Sequence, residues 1–278
     1  VRTILSDIES LQIRGATVVE LWRYPVKSML GEKLDAVEVT RRGLQGDRLH
    51  ALVEKATGRV GTAKNTRKFA QLFDFRASYL RQPNRGDSAP PVSITLPDGS
   101  TVSSDQADLE EILSIALGHH VSFESADGSA ESLGPWTAVA EEGDGFSDFD
   151  LPAGTFFDDA PIHLLTTATL ESLSSLHPEG RFEPRRFRPN MVIATPDAQQ
   201  GFVEHEWIGR DVSVGEEVRL HITGPCTRCV MTTLAQSDLP KDVEILRTAV
   251  QHNRERVGVY ASVLQGGTVR RGDHVRLD

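Results

Sequence analysis

The sequence predicts a mainly β chain with a minority of helix, an α+β fold organised as barrels or sandwiches. Three observations carry that expectation. Short β-branched runs recur at roughly 8–12-residue spacing. Glycines, prolines and aspartates with turn chemistry separate them. Few stretches carry an apolar stripe at the helical period. A length of 278 residues leaves room for two modest domains.

The elements follow in order. Residues 16–24 (ATVVELWRY) alternate and are β-branched, so they read as a strand. Residues 34–40 (LDAVEVT), 49–54 (LHALVE), 59–63 (RVGTA) and 92–96 (VSITL) continue the pattern. Turn signals stand between them at Gly31, Arg42-Gly43, Gly46-Asp47, Thr57-Gly58 and Pro97-Asp98-Gly99. One clear helix comes next, with Asp105 as its expected cap. Leu109, Ile112, Leu113, Ala116 and Leu117 form its apolar stripe, and Gly118 ends it. Residues 125–155 are rich in Gly, Ser, Asp and Glu and read as a long surface loop or linker. That stretch marks a domain boundary or covers a site; as a boundary it gives a barrel-like domain over residues 1–125 and a second domain over 126–278, with 126–155 as loop or linker.

The second half resumes with residues 162–176, a short strand running into a helix. Residues 190–195 (NMVIAT), 211–215 (DVSVG), 217–224 (EVRLHITG) and 229–234 (CVMTTL) read as strands. Residues 240–253 read as a helix with Pro240 near its first turn. Residues 257–264 and 273–277 close a β-rich module. No repeat and no glycine-rich phosphate loop is visible.

Composition narrows the function classes. Apolar runs are far short of a membrane span, and Asp7 and Glu9 interrupt any secretory h-region. Two cysteines give no disulfide framework, so a reducing, cytoplasmic setting is expected. The formal charge of −10 disfavours nucleic acid and anionic membrane as partners. Two basic clusters break the acidic background: Arg185, Arg186 and Arg188 in RRFRPN, and Lys64 to Lys68 in KNTRK. Local cations on an acidic protein suit a small anionic ligand better than a polymer, or are solvated surface charge.

Both cysteines, Cys226 and Cys229, lie in GPCTRCVMTT. A dithiol redox centre opens a helix, whereas VMTTL prefers strand. A structural zinc needs four ligands, and the nine histidines form no HxxxH pair. In an extended chain, positions three apart face opposite sides, so the two cysteines are expected to play different roles. Arg228 beside Cys229 favours its thiolate. A small buried core cysteine is the bland alternative.

Three stretches together resemble the MOSC family, molybdenum-cofactor-binding modules preceded by an N-terminal β-barrel domain. They are YPVKS (24–28) with GLQGDR (43–48) and GTAKNTRK (61–68); FRPNMVI (187–193); and CTRCVMTT (226–233) with GVYASVLQGGTVRRGDHV (258–275). Their order and spacing are similar to those of the mitochondrial amidoxime-reducing component and its bacterial relatives. The resemblance implies a C-terminal MOSC β-barrel with peripheral helices. It also implies molybdenum held by a pterin dithiolene (molybdopterin) and by one protein cysteine, Cys229, as metal ligand and catalytic residue. Lys27, Ser28, Arg48, Thr166, Arg188, Asn190, Thr227, Arg228 and Tyr260 are then expected to bind the cofactor, with Lys64 and Arg67 as further candidates for the mouth of the site.

The implied activity is reduction of small N-hydroxylated substrates. The reduced metal would take the oxygen, and protons would produce water. Electrons must come from a separate donor protein, because two cysteines cannot hold an iron–sulfur cluster beside Cys229 and no flavin or nicotinamide fingerprint is visible. The sequence TTLA (232–235) stands where amidoxime-reducing relatives carry TTVD, which bears on the substrate more than on the cofactor. The alternatives are sulfur transfer with Cys229 as acceptor, a cofactor carrier without turnover, and a β-rich binding module without metal.

Overall fold

The structure is a computed structural model that describes residues 15–84, 90–126, 136–142, 145–152, 154–196 and 199–278. The secretory-signal reading at the start of the chain and much of the linker reading at 125–155 lie outside the described residues.

Strand dominates, as expected, with a few helices. In the first half these strands are β1 (Thr17–Arg23), β2 (Glu32–Leu34), β3 (Ala36–Thr40), β4 (Gly43–Leu44), β5 (His50–Glu54), β6 (Arg59–Val60), β7 (Arg76–Tyr79), β8 (Val92–Thr95), β9 (Thr101–Ser103) and β10 (Val121–Ser125). Then come β11 (Thr137–Glu142), β12 (Gly145–Asp150), β13 (Ile162–Thr166), β14 (Met191–Ala194), β15 (Asp211–Val214), β16 (Val218–Thr227), β17 (Arg256–Gln265), β18 (Gly267–Arg270) and β19 (Val275–Leu277). The largest sheet runs β19-β15-β16-β17-β13-β14-β1-β2. A second runs β10-β5-β6-β11-β12, and two small sheets run β18-β3-β4 and β7-β8-β9.

The two halves of the chain share strands. β1 pairs antiparallel with β14 and carries β2 onto the edge of a sheet otherwise built from residues after 160. In return, β18 pairs antiparallel with β3. One apolar core spans both exchanges, joining Leu21, Val37, Val39 and Leu44 to Leu164, Ile193, Val259 and Val269. A second core, confined to the first half, packs Leu109, Leu113 and Leu117 of the helix Leu109–Leu117 against Phe75, Ile94 and Val121.

Several local expectations need correction. Residues 137–142 and 145–150 pair antiparallel as β11 and β12 instead of forming loop. The edge strand, β12, is polar and mostly open to solvent, so the buried-face signal is weak. Asp105 does not cap the helix at Leu109; its carboxylate accepts from the Ser103 hydroxyl, and Asp108 occupies the N-cap. Gly118 ends that helix as expected, at φ +69°. The later helix starts at Glu244 and excludes Pro240, whose carbonyl accepts from Arg186 at 2.9 Å. Residues 230–233 form a 3₁₀ turn and not a strand. The Thr232 and Thr233 hydroxyls donate back to the carbonyls of Cys229 at 3.0 Å and Val230 at 2.8 Å, and this outweighs the β preference of the residue types.

Candidate functional site

The 3₁₀ turn that replaces the expected strand sets the position of Cys229. β16 ends at Thr227, and Cys229 occupies the N-cap of the turn in an extended conformation. Its sulfur is half-buried, against a small apolar cluster that joins Leu30, Ala63 and Phe73 of the first half to Met231 and Leu234 of the second. Cys226, still on β16, is wholly buried. Both thiols are free. The two cysteines thus differ in exposure, as the spacing predicts, although only Cys226 lies on a strand.

Cys229 opens onto a cavity that it shares with Lys27, Ser28, Arg48, Arg188, Asn190, Thr227, Arg228 and Tyr260. Of the residues singled out from the sequence, Lys64 also lines it and Arg67 does not; Arg67 reaches toward Glu141 at 3.8 Å. Thr166 lies elsewhere. It caps the helix Thr167–Leu176, accepting from Thr169 N–H at 3.2 Å and donating to the buried Glu204 at 2.6 Å.

Turn geometry puts the cations on this wall. Ser28, Arg48 and Arg188 hold positive φ of 62°, 49° and 54°, a conformation that costs a non-glycine residue about 1–2 kcal/mol and that clusters at functional sites. Each turn is fixed by the backbone. Lys27 N–H donates to His50 O at 2.8 Å, Arg48 N–H to Tyr24 O at 2.7 Å, and Arg188 N–H to Pro184 O at 2.9 Å. Tyr24 is the shared floor: the guanidinium of Arg188 lies 4.2 Å and that of Arg48 4.7 Å from its ring centroid. Its hydroxyl donates to Pro189 O at 3.1 Å, and burial pushes its pKa up.

Asn190 ties strands together as well as lining the cavity. Its Oδ1 accepts from His163 N–H at 3.0 Å, its backbone N–H donates to His163 O at 2.8 Å, and its Nδ2 donates to Trp22 O at 3.4 Å. Ser28 Oγ accepts from Ala63 N–H at 3.1 Å.

Two residues missed by sequence reasoning complete the wall. Asp158 pairs with Lys27 and with Lys64, the latter at 3.0 Å. Burial pushes the Lys27 ammonium down to about 8, against the pull of Asp158. Burial acts in the opposite sense on Asp158, but the two lysines hold its carboxyl well below the usual range. His163, the second residue of β13, is buried and kept neutral, its pKa pushed down to about 3 chiefly by desolvation. Its Nε2 lies 3.3 Å from Val257 O. Neither residue stood in a motif, and the signal available for Asp158 was the paired acid Asp158-Asp159 shortly before β13.

The arrangement can hold an anion beside a soft sulfur. Lys27, Lys64, Arg48, Arg188 and Arg228 converge on one cavity of an acidic chain. Arg188 Nη2 and Arg228 Nε are buried with no hydrogen-bond partner among the described residues. Buried guanidinium N–H groups left without acceptors cost free energy, and an anionic ligand would supply those acceptors. Among the described residues no group of three or more His, Cys, Asp and Glu is placed to hold a metal. A metal at Cys229 would therefore bring most of its ligands with it.

The RRFRPN cluster divides. Arg188 joins the cavity, whereas Arg186 is wholly buried and donates to the carbonyls of Arg181, Thr232, Leu234 and Pro240 at 2.9–3.3 Å. Arg185 pairs with Asp238 and Glu183 at the surface. No helix among the described residues is long and apolar enough to cross a membrane.

Comparison with known proteins gives two domain matches. Residues 15–131 match the MOSC N-terminal beta barrel domain and residues 152–276 match the MOSC domain. Mouse mitochondrial amidoxime-reducing component 1 is 26% identical over 94% of this chain and 82% of its own. The bovine mitochondrial amidoxime reducing component 2 is 24% identical over 93% of this chain and 82% of its own. Among solved structures, the YUAD protein from Bacillus subtilis aligns over 94% of both chains at 12% identity and a TM-score of 0.48.

Proposed function

This chain belongs to the MOSC family, carrying its N-terminal beta barrel and MOSC domains, and from that premise we propose that it is a molybdenum-cofactor-dependent reductase of N-hydroxylated compounds. The observation that carries the reading is the meeting of Cys229 with Lys27, Arg48, Lys64, Arg188 and Arg228 in one cavity drawn from both halves of the chain. The names of the mouse and bovine relatives, amidoxime-reducing components, supply the reaction class. The division near residues 125–155 is part of the proposal, with two domains that trade strands and share the site.

The residues fit an anionic pterin. Its phosphate carries close to two negative charges near neutral pH, and the cavity's lysines and arginines offer charge-assisted N–H donors to it. Cys229 presents the soft ligand that suits a metal already held by sulfur. When bound, the molybdenum group supplies the two-electron chemistry that breaks an N–O bond. The protein's own share is to bind and to orient. Tyr24 stacks Arg48 and Arg188 in fixed positions, Asp158 aims Lys27 and Lys64, and Asn190 locks β1 to β13 beneath them. Reduction of a hydroxylamine or amidoxime consumes two electrons and two protons and releases water. The electrons come from a separate donor protein.

The test uses the full chain made in a host that synthesises the cofactor. Molybdenum and pterin are measured per chain, and benzamidoxime reduction is assayed with an artificial electron donor. Stoichiometric metal with turnover is the expected result. Bound metal without turnover on any N-hydroxylated or S-oxide substrate would overturn the reaction and spare the cofactor. A persulfide on Cys229 without pterin would replace both with sulfur transfer.

A further inference from the structure

Cys226 is wholly buried near the end of β16, yet its sulfur is engaged. Nη1 of Arg228 donates to Cys226 Sγ, and Nη2 donates to the Phe187 carbonyl at 2.8 Å. The Arg228 backbone N–H is itself anchored on Glu255 O at 2.7 Å. The phenol of Tyr260 interacts with the same sulfur, and burial together with that sulfur pushes its pKa up. Arg228 and Tyr260 both line the cavity, and Cys226 does not. The sulfur lies behind the cavity wall, between two residues that face it.

The residue type has a physical reason. An arginine side chain carries about 2 kcal/mol of rotamer entropy, and its guanidinium aims at a ligand only if other contacts hold it. A carboxylate behind Arg228 would hold it firmly but would cancel the charge that the cavity needs. A thiol sulfur is a weak acceptor, small and at home in a buried site. It fixes the direction of the fork and leaves the positive charge for the ligand.

We propose that Cys226 is a positioning residue, whose buried sulfur fixes the Arg228 guanidinium against the cavity so that it grips the anionic cofactor beside Cys229. This rests on the reading of the cavity as a cofactor site. The first cysteine of the pair then serves the arginine between them, and the second faces the metal.

The experiment compares Cys226→Ala, Cys226→Val and Cys226→Ser in the full chain, with thermal unfolding to check each fold. Val fills the buried volume without an acceptor, and Ser keeps an acceptor. Two readouts are taken: pterin and molybdenum retained after dialysis, and, in cofactor-free protein, the ¹⁵N resonance of Arg228 Nε–H, assigned by its loss in Arg228→Lys. In Cys226→Ala and Cys226→Val, retention should fall about tenfold and the Arg228 signal should broaden into exchange. Cys226→Ser should restore both. Arg228→Lys combined with Cys226→Ala should retain no less than Arg228→Lys alone.

Unchanged retention and signal in Cys226→Val, a Cys226→Ser as impaired as Cys226→Ala, or losses that add in the double variant would each overturn the proposal. Wild-type protein that retains no pterin would instead defeat the reading of the cavity. The resonance, which needs no cofactor, still judges the sulfur: a signal that is absent in wild type, or that survives in Cys226→Val, sinks the positioning role by itself.

Discussion

Two arginines, Arg186 and Arg188, stand two positions apart in the same motif and meet opposite fates. Arg186 is engaged at each of its three nitrogens, which together donate to four backbone carbonyls. The Arg188 side chain makes one hydrogen bond among the described residues, to Met29 O at 2.6 Å, lies across Tyr24 and Phe73, and leaves Nη2 without a partner among those residues. Both are buried. Burial and charge therefore do not distinguish an arginine engaged by the fold from one left with a spare donor. The inventory of acceptors does. Burial, and the neighbouring Arg48, also push the Arg188 pKa down to about 10.

The contrast can be tested from the strongest effect down. Cys229→Ser should leave molybdenum at the background of cofactor-free protein, measured by elemental analysis, with little change in unfolding. Equal losses of metal in Cys229→Ser and Cys226→Ser would revive a paired-thiol site. Arg186→Met strands four carbonyls and should cost about 3–5 kcal/mol of stability in denaturant melts. A cost below 1 kcal/mol would erase the distinction between the two arginines. Arg188→Ala should do the reverse, with pterin retention falling at least about tenfold, the size of a lost charge-assisted hydrogen bond, and a smaller change in unfolding.

A smaller effect follows pH. Asp158, Lys64 and Arg48 surround Lys27, and its ammonium is depressed to about 8, first of all by burial. Lys64 is held above its ordinary value and Asp158 below, so both stay charged through this range. Inorganic phosphate binding to cofactor-free protein should weaken severalfold as pH rises through about 8, read by calorimetry. The stability trend has the opposite sign. The folded state binds this proton less well than the unfolded chain, so stability rises as pH goes from about 8 toward 10.5. Lys27→Met should flatten both trends. Smallest of all, Arg185→Ala removes exposed ion pairs and should change stability by about 1 kcal/mol or less and pterin retention not at all.

Much of this was legible before the structure. β1, β13 running into its helix, and the β16–β17 pair were readable because β-branched alternation and turn residues agree there. Nine of the ten residues named from the motifs converge on one cavity, and Thr166 is spent on a helix cap and on Glu204. What stayed hidden depended on partners distant in sequence. Asp158 gains meaning only when Lys27 and Lys64, about a hundred residues away, fold against it. The turn after Cys229 was misread because hydroxyl back-bonding is a local contest that residue types alone do not decide. The β11–β12 pair was missed because its polar edge buries too little to leave a period.

The strand exchange that ties β1 to β14 and β18 to β3 has a consequence for how this molecule comes apart. Cleavage between β10 and β11 would not liberate two independent pieces, since each would be left with a bare edge that only the other completes. The severed pieces should stay zipped, migrate together and reconstitute when mixed, in the manner of a split reporter.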